Sequence, residues 1–286
     1  MNYQWYPGHM TKAKRMMQEN IKLIDLIIEL VDARIPLSSR NPDINELGKN
    51  KSRIILLNKA DLADPLYNRQ WMEYFRKQGA HVLEINSKTG TGIKGIQGLV
   101  QEACKEKLER DRKRGIVNRP VRAMVVGIPN VGKSTFINSF AGKACAKTGN
   151  KPGVTKGKQW IRLNSNLELL DTPGILWPKF EDRQVGMNLA FIGSMNDEII
   201  VLEELACDLL STLKEIYPKS VTDRYGMEWK DSMAEMLEEI AKVRGCLLKG
   251  ENQDLKKAAS VFLDDFRSGK LGRITVERPC SPDDNL

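Results

Sequence analysis

Hydrophobic patterning divides the chain into two textures. In the first, short apolar runs alternate with amphipathic stretches. Runs at 23–30 (closing on Val31 and Asp32), 53–57, 82–85, 123–126 and 167–170 have the length and composition of buried strands. Between them, helical spacing covers 11–20, with Thr11 as its cap, a short segment after Pro42, and 68–78, where Trp71, Tyr74 and Phe75 share one side. One further helix is predicted over 93–114. Strands alternating with helices predict an α/β fold with a mostly parallel sheet.

The second texture begins near residue 180. Segments 185–192, 198–217, 233–244 and 254–266 all repeat apolar residues at helical spacing, with stops at Tyr217-Pro218 and Arg244-Gly245. The expectation is two domains: 1–178, carrying the sheet, and 179–286, small and all-helical. Residues 278–286 read as a frayed tail.

The apolar run at 123–126 leads into G-I-P-N-V-G-K-S at 127–134, followed by a helical pattern. Strand, glycine-rich loop and helix are the context in which G-x-x-x-x-G-K-[ST] binds phosphates. Backbone N–H groups of Val131, Gly132, Lys133, Ser134 and Thr135 would face the anion at a helix N-terminus. Lys133 would reach the β- and γ-phosphates, and the Ser134 hydroxyl would bind Mg²⁺.

A second loop selects the base. N-K-A-D at 58–61 follows the run at 53–57. A carboxylate at Asp61 accepts two hydrogen bonds from guanine N1 and N2, and adenine presents no such pair. Asn58, Lys59 and Ala60 complete that loop, and Asn86 and Ser87, after the run at 82–85, form a base-supporting turn. D-T-P-G at 171–174 is a weak signal alone. Beside the other two, it gives Asp171 as a Mg²⁺ ligand through water and the Gly174 N–H as a sensor of the γ-phosphate.

These are the motifs of a Ras-like P-loop GTPase in an altered order, because N-K-x-D precedes the phosphate loop. A circular permutation accounts for that order and leaves the folded site unchanged. With W-Y-P-G-H-M at 5–10 and D-A-R-I-P at 32–36, the whole chain resembles the circularly permuted GTPases of ribosome assembly. The resemblance implies GTP and GDP as ligands, hydrolysis stimulated by a partner, and the large ribosomal subunit, through rRNA and ribosomal proteins, as that partner. It implies a late maturation step followed by release. It makes Thr155 the switch threonine on Mg²⁺ and the γ-phosphate. Ile175 stands where Ras-like enzymes carry a water-orienting Gln, and the resemblance offers His9 in that role. It also points to Asn130 as a K⁺ ligand.

Charge adds to this picture. The net charge is +8, but residues 190–286 carry 13 basic and 19 acidic side chains against 32 and 18 in the first 189. No acidic residue lies between Ala123 and Leu167, a span holding seven Lys and Arg. A basic GTPase half suits a polyanionic partner, RNA first. The acidic balance of the helical part fits RNA contact poorly, although Lys256, Lys257, Arg267, Lys270 and Arg273 are local exceptions. Cys104, Cys145, Cys207, Cys246 and Cys280 form no C-x-x-C pair and read as reduced thiols. With no membrane-length apolar run and no signal peptide, a cytoplasmic location is expected, and a monomer is the expected state. Two other readings are a GTPase acting on another RNA, tRNA or mRNA, and a GTP-binding module without a ribosomal role.

Overall fold

The structure, a computed structural model, describes residues 15, 17–116, 119–142, 159–164, 166–172, 182–248 and 252–279. The chain alternates β1 (Leu26–Asp32), α1 (Pro42–Leu47), β2 (Ser52–Asn58), α2 (Pro65–Lys77), β3 (His81–Glu84), α3 (Ile96–Ala103), α4 (Lys105–Lys113), β4 (Val121–Val126), α5 (Lys133–Ala141), β5 (Gln159–Asn164) and β6 (Leu167–Asp171). The six strands lie in the order β3-β2-β1-β4-β6-β5. All pairs are parallel except β5 with β6. β1 is buried along its whole length, as a central strand covered on both faces must be.

The strand order turns back between β1 and β4. The chain builds outward from β1 to β3, then returns to place β4 on the other side of β1. That switch point opens a crevice at the carboxyl ends of the two strands, where doubly wound sheets bind ligands. The loop after β4 is the phosphate loop, so the permuted order still brings the motifs to one end of the sheet.

Among the described residues, five further α-helices follow: α6 (Arg183–Phe191), α7 (Leu202–Ile216), α8 (Pro218–Tyr225), α9 (Met233–Val243) and α10 (Leu255–Arg267). Leu205, Leu209 and Leu213 of α7 are buried with Leu237 and Ile240 of α9 and Phe262 and Phe266 of α10. One continuous apolar cluster joins these residues to Leu26, Ile28, Val125 and Phe136 of the sheet half. A second, smaller cluster covers the opposite sheet face with Trp71 and Phe75 of α2.

Several expectations change in detail. The helix expected over 93–114 is a 3-10 turn followed by α3 and α4, which divide at buried Cys104. β5 forms the sheet edge, a strand the hydrophobic pattern does not predict. Tyr217-Pro218 ends α7 but also starts α8, because proline is well suited to the first helical position. Arg278 is not frayed: its guanidinium lies 5.1 Å over the Tyr67 ring. Among the described residues, no helix is long and apolar enough to cross a membrane, and no group of three or more metal-ligating His, Cys, Asp or Glu occurs.

Candidate functional site

β4 delivers the phosphate loop at the switch point, and buried Phe136 and Ile137 anchor the helix behind it. Asn130 (φ 59°) and Gly132 (φ 99°) both adopt positive φ, which curls the loop. A side chain at Gly132 is excluded by that dihedral and because a Cβ there would sit 2.5 Å from Asn58 Nδ2. Lys133 is buried and folds across the loop, donating to the carbonyls of Gly127 at 3.1 Å and Ile128 at 2.8 Å. Ser134 and Thr135 are half-buried on the first turn of α5.

Asn58 ties the two ligand loops together. Its Nδ2 donates to Val131 O at 2.7 Å, inside the phosphate loop. Its Oδ1 accepts from Ser87 N at 3.0 Å and Ser87 Oγ at 2.8 Å. Asn58 and Ser87 are both buried, so these bonds form away from water, where losing one costs most. Asn86 turns the other way, its Oδ1 accepting from the N–H groups of Lys88 and Thr89. Ser87 therefore fixes the position of one loop against the next. Ala60 is buried while Asp61 beside it is exposed at the crevice rim.

Beneath Lys59 lies a charged cluster whose chemistry the sequence did not reveal. Asp32 closes β1 fully buried, and Arg34 grips it with Nε–Oδ1 at 2.9 Å and Nη2–Oδ2 at 2.8 Å. Lys59 Nζ completes the set, 3.0 Å from Asp32 Oδ2. Burial alone would raise the Asp32 pKa, but the two cations outweigh it and hold the carboxyl well below its usual range. Burial lowers the Lys59 pKa, against the pull of Asp32.

Arg34 also reaches into the helical half. Its Nη1 donates to Arg267 O at 3.3 Å and its guanidinium lies 5.4 Å over the Phe266 ring. Arg267 in turn donates to the carbonyls of Phe191 and Ala190 and pairs bidentately with Asp197. The phosphate loop meets the same region directly: Asn130 Nδ2 donates to Gly193 O at 2.6 Å, and Ser194 Oγ to Pro129 O at 2.8 Å. Of the basic residues singled out near the C-terminus, Arg267, Lys270 and Arg273 are engaged within the chain, while Lys256 and Lys257 are exposed.

The D-T-P-G loop is described only at its start. Asp171 ends β6 in register with Val125, next to the phosphate loop, and Thr172 Oγ1 donates to Val125 O at 2.6 Å. The Asp171 side chain, His9, Thr155, Gly174 and Ile175 lie outside the described residues. The structure thus brings together Asn58, Lys59, Ala60, Asp61, Asn86, Ser87 and residues 130–135 at one end of the sheet.

Comparison with known proteins agrees with this geometry. Residues 122–241 match the family model described as 50S ribosome-binding GTPase. Ribosome biogenesis GTPase A of Bacillus cereus is 48% identical over 280 residues, covering 98% of this chain and 95% of the relative. The protein of the same name from Thermotoga maritima is 34% identical over 275 residues, covering 96% and 94%. The crystal structure of GNP-bound YlqF from T. maritima superimposes with a TM-score of 0.67 at 30% identity, covering 94% of this chain and 98% of that one. With that identity over nearly the full length and with the permuted fold in common, the chain belongs to the ribosome biogenesis GTPase A (RbgA/YlqF) family of ribosome-assembly GTPases.

Proposed function

We propose that this GTPase docks on the assembling large ribosomal subunit, contacts both rRNA and ribosomal proteins there, and couples GTP hydrolysis to a late maturation step and its own release. The observation that carries the site assignment is Asn58, whose one side chain bonds both the phosphate loop and the base-supporting turn. A nucleotide held by both loops would be gripped at its phosphates and its base at once. Lys133 and the amides of residues 131–135 neutralise the phosphates, and Asp61 reads the guanine edge.

Mg²⁺ suits the hydroxyl and carboxylate oxygens that Ser134, Thr155 and Asp171 offer. When bound, it neutralises charge on the β- and γ-phosphate oxygens. Gly174 senses the γ-phosphate, and His9 orients the attacking water in place of the missing Gln. Asn130 donates through its amide nitrogen to Gly193 O, so its carbonyl oxygen would be the atom that holds K⁺. The division at 178/179 gives the helical part the role of ribosome contact. The basic first 189 residues, with 32 basic against 18 acidic side chains, are the physical support for an RNA-bearing partner. The protein acts as a cytoplasmic monomer.

The test is co-sedimentation with purified large subunits in the presence of GDP or a non-hydrolysable GTP analogue. Retention with the analogue and loss with GDP supports the cycle. Equal sedimentation in both states, or none in either, contradicts it.

A further inference from the structure

The loop that carries Asp61 is held from behind by the far end of the chain. After α10, residues 271–277 run without regular structure across the sheet half. Arg273 Nη2 donates to Ala60 O at 2.9 Å and its Nε to Ala63 O at 2.8 Å. Between those contacts, Ile274 N donates to Leu62 O at 3.0 Å. Thr275 Oγ1 accepts from Asp64 N at 3.0 Å. The backbone on both sides of Asp61 is therefore pinned by three consecutive residues of this strap.

The strap is itself fixed. Ile274 and Thr275 are buried. Tyr217 OH, from the helical half, donates to Asp64 Oδ2 at 3.1 Å and accepts from Thr275 N at 3.3 Å. Further along, Val276 N donates to Arg34 O and Glu277 O accepts from Trp71 Nε1 at 2.8 Å. Asp61 has an exposed side chain. Its carboxylate is aimed by the backbone that carries it, and displacements well below an ångström weaken a charged hydrogen-bond pair.

We propose that the strap is part of the guanine-specificity site and that Arg273 is a positioning residue for Asp61. The proposal rests on reading Asp61 as the guanine acceptor. It assigns the C-terminal segment a role in choosing the base, beyond covering apolar surface. The strap follows α10 and Tyr217 bonds both it and Asp64, so hydrogen bonds tie the helical half to the guanine loop.

The test compares the affinities of GDP and IDP, which lacks the 2-amino group and so forms one of the two Asp61 hydrogen bonds. Arg273→Ala loses two charge-assisted bonds at an exposed position and should weaken GDP about fivefold while changing IDP by no more than about twofold. Arg273→Lys, still able to donate to one carbonyl, should recover part of the preference. Thr275→Val, which removes the Asp64 anchor while keeping the buried shape, should lower the GDP-to-IDP preference from the other end.

A general loosening of the nucleotide site weakens both ligands equally. An unchanged preference in Arg273→Ala and Thr275→Val would therefore overturn the proposal, provided Asp61→Asn abolishes the preference. If Asp61→Asn leaves the preference intact, the guanine reading itself fails and the proposal falls with it.

Discussion

Replacing Arg34 with methionine should destabilise the protein by about 3 kcal/mol. Asp32 is 0% exposed and Arg34 1%, so the pair forms in a low-dielectric interior. The substitution removes two charge-assisted hydrogen bonds at 2.9 and 2.8 Å and leaves a buried carboxylate with Lys59 as its one remaining cation. Removing one partner of a buried pair costs about 3–5 kcal/mol. Lys59 stays 3.0 Å from Asp32, which places the expected loss at the low end of that range. The Arg34 contacts to Arg267 O and Phe266 disappear as well, loosening the seam with α10.

In a chain of this size, ~3 kcal/mol lowers the melting temperature by about 6–12 °C, read by calorimetry without nucleotide. The pH dependence has a definite sign. A carboxyl whose folded pKa is depressed contributes stability that is present above its unfolded pKa of about 3.9 and is lost as the pH falls toward the folded value. The gap between wild type and Arg34→Met should hold steady from pH 7 to about pH 5 and narrow below that. Asp32→Leu combined with Arg34→Met should be milder than Arg34→Met alone, because Lys59 is 25% exposed and can turn to solvent. A shift below about 2 °C, or a gap that widens in acid, would show that Arg34 does not stabilise a buried Asp32 carboxylate.

Other outcomes follow from the site. Gly132→Ala forces a Cβ against Asn58 Nδ2 at a φ of 99°, and should weaken GDP by at least about tenfold in a fluorescent-nucleotide titration. Asn58→Asp keeps an acceptor for Ser87 but turns an oxygen toward Val131 O at 2.7 Å, costing about 2 kcal/mol of stability by thermal unfolding, together with nucleotide affinity. His9→Ala should lower ribosome-stimulated turnover by about a hundredfold and leave GTP affinity unchanged. Turnover in KCl should exceed that in NaCl at equal ionic strength if Asn130 holds K⁺; equal rates exclude that role.

The parts of the site legible in the sequence are those whose chemistry is local. Residues 127–134 and 58–61 are contiguous loops, so their spacing points to Lys133 and Asp61 as candidate ligand residues without any long-range contact. The parts that stayed hidden depend on partners far apart in the chain. D-A-R at 32–34 was visible as a motif, but its meaning needs Lys59, 27 residues beyond Asp32, and Arg267, 233 beyond Arg34. Nothing local marks Arg273 as a partner of Ala60, 213 residues away. The sequence placed Arg267, Lys270 and Arg273 among basic residues available to RNA, because sequence counts charge without showing what already neutralises it. β5 was missed although Trp160, Ile161 and Arg162 alternate exposed and buried, since an edge strand of a few residues carries little periodic signal. α8 is hidden in the sequence because Pro218 both ends α7 and opens the next helix.

Most of the apolar core was readable from periodicity, as the buried run of β1 and the Trp71–Phe75 face of α2 illustrate. How the two textures join was not readable. Beside the apolar cluster the two halves share, the seam carries polar contacts from Arg34, Asn130, Ser194 and the strap, and such contacts leave no periodic trace.

We propose a GTPase triggered by the large ribosomal subunit through the site built on Lys133 and Asn58. Its most direct test is multiple-turnover GTP hydrolysis in K⁺ at physiological salt, with and without purified large ribosomal subunits. Strong stimulation by the subunits that disappears in Lys133→Ala is the predicted result. Turnover that the subunits leave unchanged, while guanine nucleotide still binds, would rule out a ribosome-triggered GTPase.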